Sequence, residues 1–396
     1  MKRRSIRCMP PHDEDTLDNP PPRFMKITFL TTGNIRLIAT MKRALGHARH
    51  LADLGWEVSI VALDCLENRE RVRAECDERV DVRWFPESGA MEEVLSKTRI
   101  VEALSPDWLY LCSYTFRNRV IMGRLSHRPR LAIEHSELQS RINALNPFKR
   151  RLARHFEDRS LKDADLIVCA SRYLSFHYRH RLLERGLGDK ALTCLPYAFH
   201  DGIVEAAEEG IGELRRDYGG RTNIVYLGSM IANYGLFTML DALVHLAGSR
   251  KDILLHLIGE GPDLERAKRH AREKGIESNV RFAGYVDEKG LPAHLRLADA
   301  FLAPLFNTIQ DWARCPSKTY MYLPFQKPVF TCPVGESAEI FSDGALFFLS
   351  GDSRALADRL ASLRPGARFE LPSPEKHSWK HRTMQLSEAL KNHHGA

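Results

Sequence analysis

The sequence predicts an α/β protein of two Rossmann-like domains facing a cleft, with a last helix closing back on the first domain. Three observations predict this. Strand-length apolar runs alternate with helix-length amphipathic stretches twice along the 396 residues, the pattern of βαβ units on a parallel sheet. A glycine-rich interruption between Asp201 and Thr222 separates the two series. A proline-containing stretch (Pro365, Pro372, Pro374) then precedes a closing amphipathic segment. The length is comfortable for two domains and long for one.

Residues 1–24 contain five prolines and the acidic run Asp13-Glu14-Asp15, without an apolar stretch behind the basic residues. They are expected to form a disordered lead-in and not a secretory signal. The N-terminal domain, 25–205, opens with a strand at 26–30. A helix follows from Lys42 to Leu54, with Ala44, Ala48, Leu51 and Ala52 on one face and Gly55 as its stop. Further strands are expected at 56–63, 82–85, 108–112, 131–135 and 165–170. Residues 206–222 are expected to be the linker. The C-terminal domain, 223–372, has strands expected at 223–227, 253–258, 280–283, 299–303 and 328–331. Its helix at 234–247 carries Leu236, Leu240, Leu243 and Leu246 in register. In the closing segment, 373–396, a helix at 378–391 has Trp379, Thr383, Leu386 and Leu390 on its inner face.

Composition narrows the function classes. No apolar run approaches the roughly 18–20 residues of a membrane-spanning helix. The eight cysteines are scattered without C-x-x-C or metal-ligand spacing, as buried thiols of a reducing, cytoplasmic compartment are. The net charge of +7 is unevenly placed: residues 1–200 hold 34 Lys+Arg against 26 Asp+Glu, and residues 201–396 hold 24 against 25. Between Arg117 and Arg159 the count is 11 basic to 4 acidic. No nucleic-acid motif accompanies it. Such a face suits an anionic membrane surface, a lipid-linked anionic substrate, or solvent alone. Lys149, Arg150, Arg151 and Arg154 flank Phe148 and Leu152, a pattern that fits phospholipid headgroups with apolar anchors or a helix packed on its own domain.

Ligands of open parallel sheets bind beyond the carboxyl ends of the strands. There the C-terminal domain has Gly228-Ser229-Met230 after its first strand and Gly259-Glu260-Gly261-Pro262 after its second. Cys315-Pro316-Ser317-Lys318 enters a short helix, with Ser317 as the expected N-cap and Lys318 as a point charge for the same anion.

These residues resemble the nucleotide-binding domain of the family 4 glycosyltransferases, which have the GT-B fold. The resemblance is carried by the turn at Gly228, LIGEGP at 257–262, VRFAGYV at 280–286 and PSKTYMYLPFQKPV at 316–329. LAIEHSELQSR at 131–141, DADLIVCASRY at 165–173 and HSW at 377–379 extend it to the first half. It implies a GT-B enzyme moving a sugar from a nucleoside-diphosphate donor. The family's glutamate pair falls on Ala313 and Met321, however, and its diphosphate-binding Arg and Lys fall on Ser229 and Tyr234. The chain is also similar to the glucuronosyltransferases of xanthan assembly, in Gly228-Ser229-Met230 and in Lys318 within the 316–322 segment. That resemblance implies a UDP-sugar, UDP-glucuronate among the choices, inverting transfer to a glycan or lipid-linked glycan, and a peripheral dock on the inner face of the membrane.

The resemblance implies donor contacts from Gly228, Ser229, Met230, Gly259, Gly261, Ser317, Lys318, Met321 and Tyr322, with Tyr285 and Val286 holding the base. A general base belongs on the opposite domain; Glu137 is the first candidate, Glu134 and His135 the alternates. Gly33 and Asn34 face the cleft, and Arg36, Lys42 and Arg43 suit an acceptor pyrophosphate. No D-x-D is placed to chelate a metal on phosphates, so neither a metal nor another cofactor is expected. Two rivals share the fold: a non-catalytic subunit partnering an active transferase, and a nucleotide-sugar 2-epimerase.

Overall fold

The computed structural model describes residues 24–36, 40–142, 145–364 and 367–393; the predicted lead-in lies outside them except for Phe24. The first domain is a parallel seven-stranded sheet ordered β3-β2-β1-β4-β5-β6-β7. Its strands are β1 (Lys26–Leu30), β2 (Glu57–Leu63), β3 (Asp81–Phe85), β4 (Trp108–Leu111), β5 (Arg130–His135), β6 (Leu166–Cys169) and β7 (Ala191–Cys194). The second is a parallel five-stranded sheet ordered β10-β9-β8-β11-β12, from β8 (Thr222–Leu227), β9 (Ile253–Ile258), β10 (Val280–Gly284), β11 (Ala300–Ala303) and β12 (Val329–Thr331). Every residue of β6 and β9 is buried, because helices cover both sheet faces; such strands read as near-continuous apolar runs, broken in β9 by His256 alone.

In each sheet the winding reverses once, between β1 and β4 and between β8 and β11. Loops leaving the two middle strands must diverge there, which opens a crevice at the carboxyl edge. In the second domain this brings the loop after β8 beside the segment that follows β11.

Two expectations change. Strand β7 was missed: its four residues are all half-buried at the sheet edge, without alternation or a full apolar run. Residues 206–222 are not an extended linker. Gly202 and Gly210 have φ of 85° and 79° and begin helices Ile203–Ala206 and Ile211–Tyr218. Ile211 packs with Ala293 and Leu297 of the second domain. The glycines start helices here; they do not loosen the chain.

The crossing between domains occurs earlier, and the chain returns beside it. Phe199 N–H donates to His377 O at 3.1 Å, and Trp379 N–H to Phe199 O at 3.0 Å. Helix Trp379–Asn392 then lies on helix Thr40–Asp53. Trp379, Thr383, Leu386 and Leu390 are fully buried, as their spacing predicted. Thr383 Oγ1 lies 2.9 Å from His47 Nδ1, and Trp56 Nε1 donates to Ser387 Oγ at 2.9 Å. A Cβ on Gly46 would sit 2.3 Å from the Trp379 ring.

Gly46→Ala is therefore expected to cost about 1–3 kcal/mol through overpacking, and Trp379→Ala about 3–5 kcal/mol. Urea denaturation checks both, and unchanged midpoints would mean the closing helix is not a structural clamp.

Candidate functional site

The loop after β8 and the loop after β9 are stacked on each other. Gly228 N–H donates to Ile258 O (2.9 Å), Gly259 N–H to Gly284 O (2.7 Å) and Met230 N–H to Glu260 O (2.9 Å). A Cβ on Gly259 would lie 2.2 Å from Gly228 O, and one on Gly261 would lie 2.7 Å from Met230 N. These glycines thus serve backbone contact. The amides of Gly228 and Met230 are spent, and the Met230 side chain is in the core. Of the three amides expected to meet a phosphate, Ser229's alone lacks a partner among the described residues.

Helix Ser317–Tyr322 begins one residue earlier than expected. Pro316, extended at φ −72° and ψ 106°, takes the cap position, and Ser317 is the first helical residue without a capping bond. Tyr322 is fully buried, stacked on Phe301 at 4.2 Å. Its hydroxyl accepts Leu227 N–H at 2.8 Å. It fixes the end of β8 and cannot reach a donor. Met321 is half-buried against the same core.

Lys318 is the second residue of this helix. Its Nζ lies 3.9 Å from the Tyr226 ring centroid and 5.9 Å from that of Tyr234. A Cβ on Gly228 would stand 2.6 Å from it. It makes no ion pair or hydrogen bond among the described residues. Desolvation, then the charge of Arg314, pushes its pKa well below the usual lysine range, with Asp311 opposing. Arg314, which the sequence reading missed, lies 4.5 Å over the Tyr234 ring, its Nε 3.0 Å from Asp311 Oδ1. A second cation four residues before Lys318 was the available signal.

On the opposing domain the three candidate bases separate. Glu134 is buried, paired with Arg43 Nε at 2.7 Å and accepting Tyr110 O–H at 2.8 Å. Burial raises its pKa despite Arg43. Arg43 also donates to Leu195 O at 2.7 Å, so neither side of this pair reaches the cleft. His135 is buried, with Nε2 3.1 Å from Ser160 Oγ and its ring 4.2 Å from that of Tyr178. Burial, chiefly, pushes its pKa down to about 3. Both are turned inward because residues of β5 face the packed helices. Glu137, beyond the strand end, is half-buried without a hydrogen-bond partner among the described residues. Burial raises its pKa, and the charge of Arg314 from the other domain lowers it. Of the three, Glu137 is the one that is only half-buried and the one that feels a charge of the second domain.

A cavity of about 240 Å³ between the domains is lined by Ile35, Arg36, Lys42, Arg71, Tyr285 and Glu288 among others. Arg36 lies 5.0 Å over the Tyr285 ring, and Arg71 is ion-paired with Glu288. Desolvation and then Arg71 lower the Lys42 pKa. Gly33, at φ 68°, accepts from Asn68 Nδ2 at 3.2 Å, while Asn34 Oδ1 caps Arg36 N–H at 2.9 Å. Val286 is turned into the second core. Far from these, helix Pro147–Asp163 is anchored by Glu157, Ser160 and Leu161. Its first turns leave Phe148 77% and Leu152 46% exposed among exposed Lys149, Arg150, Arg151 and Arg154. The two apolar residues do not pack on their own domain.

With this geometry in place, the likenesses to known proteins agree. Over 93–94% of its length the chain superposes on solved GT-B structures. They include Anabaena HepE in complex with UDP-glucose (TM-score 0.65, 14% identity, 95% of that chain) and the pneumococcal O-GlcNAc transferase GtfA with UDP and GlcNAc (TM-score 0.70, 9% identity, 100% of that chain). The chain has the GT-B fold. Residues 221–364, within the second domain, match the family Glycosyl transferases group 1. A GDP-mannose-dependent phosphatidylinositol monomannoside mannosyltransferase of Mycobacterium tuberculosis is 35% identical over 94 residues, 23% of this chain and 24% of that protein. The lipopolysaccharide 1,6-galactosyltransferase of Escherichia coli is 24% identical over 135 residues, 33% and 35% of the two chains. The chain thus spans about a quarter to a third of these curated relatives. Among the described residues no helix is long and apolar enough to cross a membrane.

The two glutamates give a direct contrast. Glu134→Gln is expected to cost about 3–5 kcal/mol by stranding the buried Arg43 charge. Glu137→Gln should stay within about 0.5 kcal/mol of the parent. Equal stability losses in urea would refute the assignment of one to structure and the other to the site.

Proposed function

We propose that the chain transfers a sugar from a nucleoside-diphosphate donor, held by the second domain, to a glycan or lipid-linked glycan bound by the first. The observation that carries this reading is Lys318, a desolvated amine without an ion pair among the described residues, its Nζ over the Tyr226 ring and beside Gly228 in the loop after β8. An anion there replaces its lost solvation. UDP is favoured as the nucleotide because the structural neighbours HepE and GtfA hold UDP. The GDP-mannose-dependent relative makes GDP the alternative. UDP-glucuronate rests on the xanthan-assembly resemblance alone.

In this reading the acceptor hydroxyl attacks the anomeric carbon, its proton passes to Glu137, and the nucleoside diphosphate departs with the bonding electrons. Lys318 and the open Ser229 amide stabilise the developing charge, with no metal required. The chemistry inverts the anomeric centre. Arg36 and Lys42, at the mouth of the cavity, take an acceptor pyrophosphate; Arg43, spent on Glu134, does not. Helix Pro147–Asp163 docks the first domain on an anionic membrane through Phe148 and Leu152, placing the enzyme on the cytoplasmic face.

A thermal-shift panel of UDP, GDP, ADP, CMP and UDP-sugars tests the reading. A ligand at 100 times its Kd adds about 2.7 kcal/mol, and Lys318→Ala should abolish the shift. A flat panel on folded protein would make the chain a non-catalytic partner of another transferase. If the panel selects a donor, Glu137→Gln should lower kcat by about 10²–10⁴-fold with nucleotide affinity retained. The parent's kcat/KM should fall with acidity through a pKa above the ordinary carboxyl value of 4.5, since burial favours the neutral acid. Loss of nucleotide affinity in Glu137→Gln would remove it from the role of base. Docking is checked by co-sedimentation with vesicles containing about a third phosphatidylglycerol. Phe148→Ser/Leu152→Ser should bind more weakly, and equal binding would exclude this helix as the anchor.

A further inference from the structure

The proposed donor site differs in charge from the family that its sequence resembles. Where the family 4 glycosyltransferases place an Arg and a Lys after the first strand of the nucleotide domain, this chain has Ser229 and Tyr234. Building on the glycosyl-transfer reading, we propose that Arg314, reaching the crevice from the β11 side, has taken over neutralisation of the donor diphosphate, with Tyr234 as its platform. The guanidinium lies 4.5 Å from the Tyr234 ring, so the aromatic residue standing in the lysine position seats the cation that replaces it. Asp311 fixes the orientation: its Oδ1 lies 3.0 Å from Arg314 Nε, and its Oδ2 accepts Phe306 N–H at 2.7 Å. Nε makes no hydrogen bond despite that approach, and neither do the other guanidinium nitrogens among the described residues. They are left for a planar, two-point contact with phosphate oxygens.

Charge counting points the same way. The charge of Arg314 disfavours that of Lys318, and Asp311 is the carboxylate on their own domain that offsets it. Glu137 of the first domain feels the charge of Arg314 and makes no ion pair with it. The cluster therefore sets two basic side chains against one carboxylate at the crevice beside β8. A diphosphate supplies the missing anion and draws Arg314 away from Glu137.

Titration calorimetry with uridine, UMP, UDP and inorganic pyrophosphate tests this, with the guanosine series in place of uridine if the nucleotide panel selects GDP. Arg314→Ala should weaken the nucleoside diphosphate and pyrophosphate by about 10- to 100-fold, the usual size of a charge-assisted contact. The nucleoside should be unaffected. Arg314→Lys, which keeps the charge and guards against misfolding of the alanine variant, should lose less. Arg314→Ala/Ser229→Arg, which restores the family's cation on the β8 loop, should recover most of the loss. Equal weakening of nucleoside and diphosphate, or no weakening, would overturn the proposal while leaving glycosyl transfer standing. Failure of the parent to bind any nucleoside diphosphate would overturn both.

Discussion

The reversal of strand order at β8 and β11 is the constraint from which the site follows. Parallel strands send all their exiting loops to one edge, and only where the winding changes direction do neighbouring loops part. In the second domain that gap falls between the turn at Gly228 and the segment from Leu305 to Lys318. Glycines at 228, 259 and 261 let the β8 and β9 loops stack backbone to backbone, which narrows one wall of the gap. Tyr322, from below, holds Leu227 N–H and stops β8 at the required length. The crevice is thus built by backbone contact and aromatic packing, and its charges are set into a frame already rigid.

Those charges are costly in the free protein. A lysine desolvated against Tyr226 and Gly228, with an arginine nearby, has ring faces and the charge of Asp311 to offset its burial and no ion pair among the described residues. Such strain at a crevice is a feature of binding sites, where the ligand supplies the missing counter-charge. The contrast with Glu134 and Arg43 is instructive. That pair is more deeply buried, yet the two opposite charges lie against each other, Tyr110 donates to the remaining oxygen and Arg43 donates to Leu195 O. One arrangement sets each charge against an opposite one; Lys318 makes no such pair among the described residues.

The sequence disclosed the fold better than the site. Strands with both faces covered, such as β6 and β9, gave unmistakable apolar runs, and the closing helix kept its inner face at Trp379, Thr383, Leu386 and Leu390. Strand β7 escaped because an edge strand of four half-buried residues carries no pattern. Lys318 was legible because its Pro-Ser-Lys neighbours place it at a helix start beyond a strand. Glu134 and His135 stayed alternates to Glu137 because a strand alternates its faces up to an end that sequence alone does not locate. Arg314 and Tyr234 are far apart in the chain, and nothing local to either announces that one stacks on the other. Gly202 and Gly210 misled because glycine at positive φ begins a helix as readily as it loosens a linker.

Hydrogen–deuterium exchange of the parent chain with and without saturating nucleoside diphosphate tests the central claim, that one crevice of the second domain holds the donor. Protection confined to residues 226–235 and 306–322, with a lesser effect around Glu137, is the result the structure predicts. Protection elsewhere in the second sheet, or centred on the first domain, would contradict it.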